Sequence, residues 1–340
     1  MQNSFWNKLP KPFFALAPMA DVTDAAFRRI IAKYGKPDVM WTEFVSADGL
    51  FLGGREALMP DLSFTEAERP IVAQFFTAHP QMMEKAAALA REMGFDGVDI
   101  NMGCPDRTIE KQGAGAAMIK NPQLALEIIA AAKQGAGPLP VSVKTRVGYN
   151  RSELETWLPT LLKAKPALIT VHARTRKEMS LVPARWEEVA RAVEIRNAIA
   201  PEVLIAGNGD VMTIAEAQVR AEETGADGVM LGRAIFGNPW CFANLARVKH
   251  GSQIEHPERA GEGGNISVED VPLPEKLRVM VEHTQLFEEL LGGHKSFAVM
   301  KKHYKAYVHG FPAAKELRMK LMEAKDAREV GEIVETFLTS

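Results

Sequence analysis

Gly97-Val98-Asp99-Ile100-Asn101-Met102-Gly103-Cys104-Pro105 is the stretch from which the architecture is read. Val98, Ile100 and Met102 alternate with Asp99 and Asn101 and run into Gly103-Cys104-Pro105, so a short strand ends in a tight turn that presents a thiol. Helix-periodic stretches lie on either side, Gln81–Met93 before it and Pro122–Lys133 after it. The same succession recurs along the chain. Strands are predicted at Phe13–Met19, Val39–Phe44, Ile71–Phe75, Gly97–Met102, Val141–Val147, Ala167–Ala173, Val203–Gly207 and Gly228–Leu231. Further helices are predicted at Ala25–Tyr34, Ser152–Lys163, Trp186–Ile199 and Thr213–Thr224. Strict strand–helix alternation implies a parallel α/β sheet, and eight units over about 240 residues is the count and length of a (β/α)8 TIM barrel. A doubly wound open sheet is the alternative.

The barrel is preferred because polar and titratable residues gather at the carboxyl ends of the strands, where barrel active sites lie. Those ends supply Pro18-Met19, Glu43, Gln74, Asn101 with Cys104, Lys144 with Arg146, His172 with Arg174, Asn208-Gly209-Asp210 and Gly232-Arg233. Singly, each has a plain structural explanation: Cys104 as a buried thiol, Lys144 as a solvated charge, His172 as a core histidine. Jointly they outline one mouth. The glycine-bearing loops after the seventh and eighth strands are those that most often hold phosphate in such barrels, with backbone N–H groups and Arg233 as donors. Tight turns alone would also explain the glycines.

The net charge of −2 argues against a globally basic nucleic-acid binder, and 46% hydrophobic with 25% charged content excludes a disordered chain. Two cysteines, Cys104 and Cys241, leave no disulfide framework and no cysteine-rich metal site. No stretch approaches the roughly 18 apolar residues of a membrane span, and Met1–Phe14 lacks a signal-peptide core. A cytoplasmic protein with reduced thiols and no bound metal is expected.

The barrel is expected to occupy 1–250, with a Gly-, Pro- and charge-rich linker at 251–274 and a small helical bundle at 275–340. From His294 to Lys320 the chain carries +6, against −8 elsewhere, and three histidines with Tyr304 and Tyr307 are interleaved. Clustered cations suit phosphates and aromatic planes suit unstacked bases, so Lys295, Lys301, Lys302, Lys305 and Arg318 become the expected RNA contacts if the barrel beside them acts on RNA. The alternative is a solvated helix face over core tyrosines.

Long motifs along nearly the whole chain resemble those of the tRNA-dihydrouridine synthases. They are Leu16-Ala17-Pro18-Met19-Ala20-Asp21-Val22-Thr23-Asp24 with Phe27-Arg28, Asn101-Met102-Gly103-Cys104-Pro105, Val143-Lys144-Thr145-Arg146-Val147-Gly148, Val171-His172-Ala173-Arg174-Thr175-Arg176, Gly207-Asn208-Gly209-Asp210, and Met230-Leu231-Gly232-Arg233 with Gly237-Asn238-Pro239-Trp240. The resemblance implies an FMN-bearing barrel that reduces particular uridines of tRNA, or of another structured RNA, with NADPH as electron source. It implies that Pro18, Met19 and Ala20 line the isoalloxazine, that Gln74 contacts the ring, and that Lys144 sits by its N1–C2=O edge. His172 would border the flavin, and Asn208, Gly209, Asp210, Gly232 and Arg233 would hold the ribityl phosphate. Cys104 matches the proton donor, and Asn101 and Arg174 would contact the target uracil. Where the family continues with a tyrosine, a glycine and Ala-Asp-Trp, this chain has Ser180, Val182 and Ala184-Arg185-Trp186, a departure that bears on which uridine is modified.

The residue types suit that chemistry independently. Hydride delivery to C6 of uracil leaves C5 in need of a proton, and a thiol with an ordinary pKa near 8.5 is mostly protonated at neutral pH. Lys144 offers positive charge where a reduced flavin holds negative charge. The alternatives are a flavin barrel acting on a free pyrimidine or dihydroorotate, and a non-catalytic RNA-binding barrel.

Overall fold

The computed structural model describes residues 4–243 and 271–339. Eight parallel strands form one sheet: β1 (Phe13–Leu16), β2 (Met40–Ser46), β3 (Ile71–Phe76), β4 (Gly97–Met102), β5 (Val141–Gly148), β6 (Leu168–Thr175), β7 (Leu204–Asn208) and β8 (Gly228–Leu231). Their order is β1-β8-β7-β6-β5-β4-β3-β2, and the two edges meet through the Ala15–Val39 bridge and a 3.1 Å bond from the Leu16 N–H to the Val39 carbonyl. The fold is a (β/α)8 barrel.

The helices, in chain order, are α1 (Ala25–Tyr34), α2 (Ala47–Phe51), α3 (Arg55–Leu58), α4 (Pro80–Glu92), α5 (Arg107–Lys111), α6 (Pro122–Ala136), α7 (Leu154–Lys163), α8 (Trp186–Ile199) and α9 (Ile214–Thr224). After the undescribed segment come α10 (Leu273–Leu291), α11 (Met300–Tyr307), α12 (Ala314–Glu323) and α13 (Ala327–Thr339). Local signals start and stop them: Asp24 caps α1 at Phe27 N, Asn121 caps α6 with Pro122 at its first position, and Gly225 (φ 69°) ends α9 in the left-handed region.

Alternate residues of the strands face inward. Trp6, Phe13, Ala15, Trp41, Val72, Leu168, Ala206 and Met230 pack in one interior cluster, and the Trp6 ring lies 5.4 Å from Phe13 and 6.0 Å from Trp41, plugging the end where the strands begin. Two residues further along β3 and β7, and four along β6, the same face carries Gln74, Asn208 and His172. Apolar packing thus closes one end and leaves polar side chains at the other.

The described chain divides into two compact units, Met1–Ala20 with Asp38–Leu62 and Arg69–Gly232, and Asp21–Pro37 with Ser63–Glu68 and Arg233–Ser340. The second unit takes in α1, which its place between β1 and β2 assigns to the barrel. Of the expected linker 251–274, all but 271–274 lies outside the described residues, and α10 already begins at Leu273.

The second unit has its own core, in which Ala26 of α1 packs with Leu277, Met280, Phe287, Tyr304, Tyr307, Leu317, Val330 and Val334. The tyrosines expected to stack on bases are therefore core residues, 0% and 3% exposed, and so is His303. They face inward because the helical period places them on the apolar stripe of α11. Phe27 stacks on His283 at 4.6 Å and meets His303 edge-on at 4.9 Å. Neither imidazole has a hydrogen-bond partner among the described residues.

Burial, reinforced by the neighbouring His303, pushes His283 well below the usual 6.5, and burial together with Lys302 pushes His303 down to about 3. The unfolded chain binds these protons near pH 6.5 and the folded chain does not, so their stabilising effect is full above 6.5 and lost as pH falls. The unfolding free energy from urea titrations is expected to drop between pH 7 and 4, by up to about 1.4 kcal/mol per pH unit for each histidine. His303→Phe should flatten that slope; an unchanged slope would contradict the assignment.

Candidate active site

The Cys104 turn is held by side chains on three strands. Asn101 Oδ1 accepts from the backbone N–H of Gly103 (3.1 Å) and of Cys104 (2.9 Å), and Asn101 Nδ2 donates to Gln74 Oε1 at 3.3 Å. Arg146, 7% exposed, donates through Nε to the Gly103 carbonyl at 2.8 Å and through a terminal nitrogen to the carbonyls of Thr175 and Met179. Below the turn the Cys104 carbonyl accepts from Ala116 N (2.9 Å), and Gly115 (φ 61°) lets the chain pass there, since a Cβ would come within 2.7 Å of that oxygen. The Cys104 side chain packs against Phe76, Ile109 and Ala114 and is partly exposed. Burial pushes its thiol above the usual range, opposed by the Asp106 backbone and by the charges of Arg146 and Lys144. At neutral pH it carries its proton.

Lys144 faces the same mouth, its Nζ donating to Asn208 Oδ1 at 3.1 Å. Burial and the neighbouring Arg146 charge bring it down to about 8, against the opposing pull of Asp99 and Cys104. Asn208 is fixed in turn by donating to the Met230 carbonyl at 2.8 Å. Gln74 is fully buried and donates to Asp99 at 2.6 Å. His172 Nε2 lies 3.2 Å from Arg174 Nη1.

After β7 the chain turns through Gly209 (φ 135°) and Asp210 (φ 56°), both outside the space most side chains allow. Trp186, the first residue of α8, donates to the Gly209 carbonyl at 3.0 Å and lies so close to Gly207 that a Cβ would come within 2.3 Å of its ring. The Asp210 carboxylate is taken by Arg174 and by Ala184 N (2.8 Å), so this turn offers an anion its backbone rather than that side chain. Gly232 follows β8 beside Met19, 3.4 Å from its sulfur if a Cβ is added. Pro18 is buried, Met19 half-buried and Ala20 exposed. Arg233 opens the helical turn Arg233–Ile235 and groups with the second unit.

Of the two residues expected to contact uracil, Asn101 holds the thiol turn, and Arg174, 2% exposed, donates to Asp210 and to the Val182 carbonyl (2.6 Å). The departing segment is thus anchored by buried arginines through its backbone, while Arg185 pairs with Glu178 at 2.6 Å. In the tail, Lys302 and Lys305 are exposed and Lys301 half-buried. Arg318 donates to the Val308 carbonyl at 2.6 Å, and Lys295, 14% exposed, lies 3.7 Å from Asp21. Sequence reading passed over Asp99 and Ser142. The available signal was an acid and a hydroxyl at inward positions of adjacent, otherwise apolar strands. Among the described residues there is no cluster of metal-ligating side chains and no helix long and apolar enough to cross a membrane.

Comparison with known proteins joins these features. A probable tRNA-dihydrouridine synthase 2 of Bacillus subtilis (strain 168) is 37% identical over 340 residues, covering 99% of this chain and 97% of that protein. A probable tRNA-dihydrouridine synthase of Staphylococcus epidermidis is 37% identical over the same length, with 99% and 97% covered. Among solved structures, a 2-naphthoyl-CoA reductase complex shares the fold, with a TM-score of 0.53 at 10% identity over 69% of this chain and 50% of that one. The Dihydrouridine synthase (Dus) family matches residues 15–340, from the middle of β1 to the end of the chain, so the thiol turn, the Lys144 strand and the helical tail belong to one member of that family.

Proposed function

We propose that this chain is a cytoplasmic oxidoreductase that reduces the C5=C6 bond of specific uridines in tRNA to 5,6-dihydrouridine, using FMN with NADPH as electron source. The observation that carries this reading is a protonated, partly exposed thiol at the same strand ends as a lysine ammonium, within range of each other's charge. The donor set fits FMN. Lys144 would supply a cation to the reduced ring, the Gly209-Asp210 turn and Gly232 would offer backbone N–H groups to a phosphate, and Gln74 and His172 would border the ring. Pro18, Met19 and Ala20 would line the ring through backbone atoms.

FMN, when bound, would supply the hydride that C6 of the uracil takes. Cys104 Sγ gives its proton to C5, and the thiolate left behind regains a proton from water. Asn101 and Arg146 keep the thiol in place during that transfer. Lys144, its charge set by the low-polarity surroundings that bring it to about 8, balances negative charge nearby.

The test is to record the visible spectrum of the purified protein and to incubate it with NADPH and an unmodified tRNA transcript, scoring dihydrouridine by mass spectrometry. A yellow protein that modifies the transcript is expected. A colourless protein, or one that reduces free uracil but not RNA, overturns the proposal. The exposed Lys302 and Lys305, with Lys301, are proposed to hold RNA phosphates, Arg318 contributing beside its Val308 bond. Changing all three lysines to alanine should lower the slope of log K against log salt by up to about two or three while flavin content stays constant. Parental affinity and slope would leave the run as a solvated face.

A further inference from the structure

Asp99 is fully buried, and strand register places it between Gln74 of β3 and Ser142 of β5. One carboxylate oxygen accepts from Gln74 Nε2 at 2.6 Å and the other from Ser142 Oγ at 2.5 Å. Gln74 Oε1 accepts from Asn101 Nδ2, and Asn101 Oδ1 accepts from the Gly103 and Cys104 N–H groups. Every donor in this chain points toward Asp99. An amide can turn end for end, but an ionised carboxylate cannot donate, so its partner must present N–H. Gln74 must therefore present oxygen to Asn101, and Asn101 must present oxygen to the turn.

We propose that Asp99 is a positioning residue for the thiol: by fixing the direction of the Gln74 and Asn101 amides, it holds the Gly103-Cys104 turn closed. Its importance for catalysis rests on the proposed role of Cys104 as acid; the positional effect does not. Asparagine at 99 could present either end, and Ser142, which also lies 3.3 Å from the Val98 carbonyl, could accept or donate accordingly. Both directions of the chain then become available, and only one of them holds the turn.

The test is a double-mutant cycle on Asp99→Asn and Asn101→Asp in a Cys241→Ala background, where Cys104 is the single thiol. The readout is the alkylation rate of Cys104 by iodoacetamide, which needs neither FMN nor RNA. With Asn101 present, Asp99→Asn should speed alkylation severalfold. In the Asn101→Asp background it should not. There the amide introduced at 99 can donate to Gln74, Gln74 can donate to the carboxylate introduced at 101, and that carboxylate still accepts both backbone N–H groups. Asn101→Asp alone measures the effect of the added charge. Turnover on RNA should fall about tenfold in Asp99→Asn with little change in KM, as for a misplaced reacting group. Equal acceleration in both backgrounds, or none with Asn101, overturns the proposal. If Asp99→Asn is too unstable to assay, the double variant, which reverses the two bonds of Gln74 and keeps the rest, must fold with a higher urea midpoint than that single variant; a midpoint no higher overturns the proposal as well. An absent dihydrouridine signal with the cycle intact would refute the uridine reading alone.

Discussion

Cys104→Ala is expected to slow dihydrouridine formation by about 10²- to 10⁴-fold, the usual range for a lost general acid, while leaving the flavin spectrum unchanged. The size is that of losing the proton donor held at the turn, since Arg146, a cation near the thiol, is committed to the carbonyls of Gly103, Thr175 and Met179. The sign of the pH dependence follows from the upward shift. A thiol raised by burial keeps its proton through the ordinary thiol range, so a loss of turnover near pH 8 is expected from Lys144, which burial brings to about 8, and not from Cys104. Cys241→Ala is the control, its thiol pushed up to about 12 by burial. Equal RNA-dependent rates in the two variants would remove Cys104 from the mechanism.

The largest effect on stability is expected at Arg28. Its side chain and that of Glu68 are both 0% exposed, joined at 2.8 Å, and the remaining donors of Arg28 reach the carbonyls of Thr23 (2.8 Å) and Ser63 (2.5 Å). Glu68 also accepts from the Thr65 N–H (2.8 Å) and hydroxyl (3.1 Å). Arg28→Met leaves a buried carboxylate without its cation and should cost about 3–5 kcal/mol in urea unfolding. Replacing both partners by apolar residues of similar volume should recover most of that loss, since the pair as a whole contributes little beyond satisfying itself. A cost under about 1 kcal/mol for the single variant would mean that water reaches Glu68.

The barrel was legible because period and punctuation agree. Ala25–Tyr34 and Trp186–Ile199 match the observed helices to the residue, the first with a sharp apolar stripe and the Asp24 cap at its start. β1 was read three residues too long: Ala17 N still donates to the Leu231 carbonyl, but Pro18 has no N–H with which to continue the ladder. β6 runs two residues past the predicted end at Ala173, so Arg174, expected at the strand's end, lies inside it. The gathering of polar groups at the mouth was legible too, because two-residue alternation fixes which side chains point inward. Division of labour within it was not. Spacing cannot tell that Asn101 faces the backbone of its own turn, nor that Asp210 is occupied by Arg174. In the tail, charge was visible and burial was not: Tyr304 and Tyr307 sit among lysines in sequence but on the opposite side of the same helix.

The grouping of α1 with the tail has a consequence in time. Ala26, Phe27, Lys33 and Tyr34 meet Leu277, His283, His303 and Glu282, residues translated only after all eight strands. During synthesis, therefore, the first long helix to emerge is among the last to be covered, and its apolar face waits exposed while the barrel is being made. A chain stopped after Gly232 would keep that face and never receive its cover. The tail is thus needed to finish the beginning of the molecule, and a truncated barrel is expected to be caught by chaperones or to aggregate rather than to survive as a smaller enzyme.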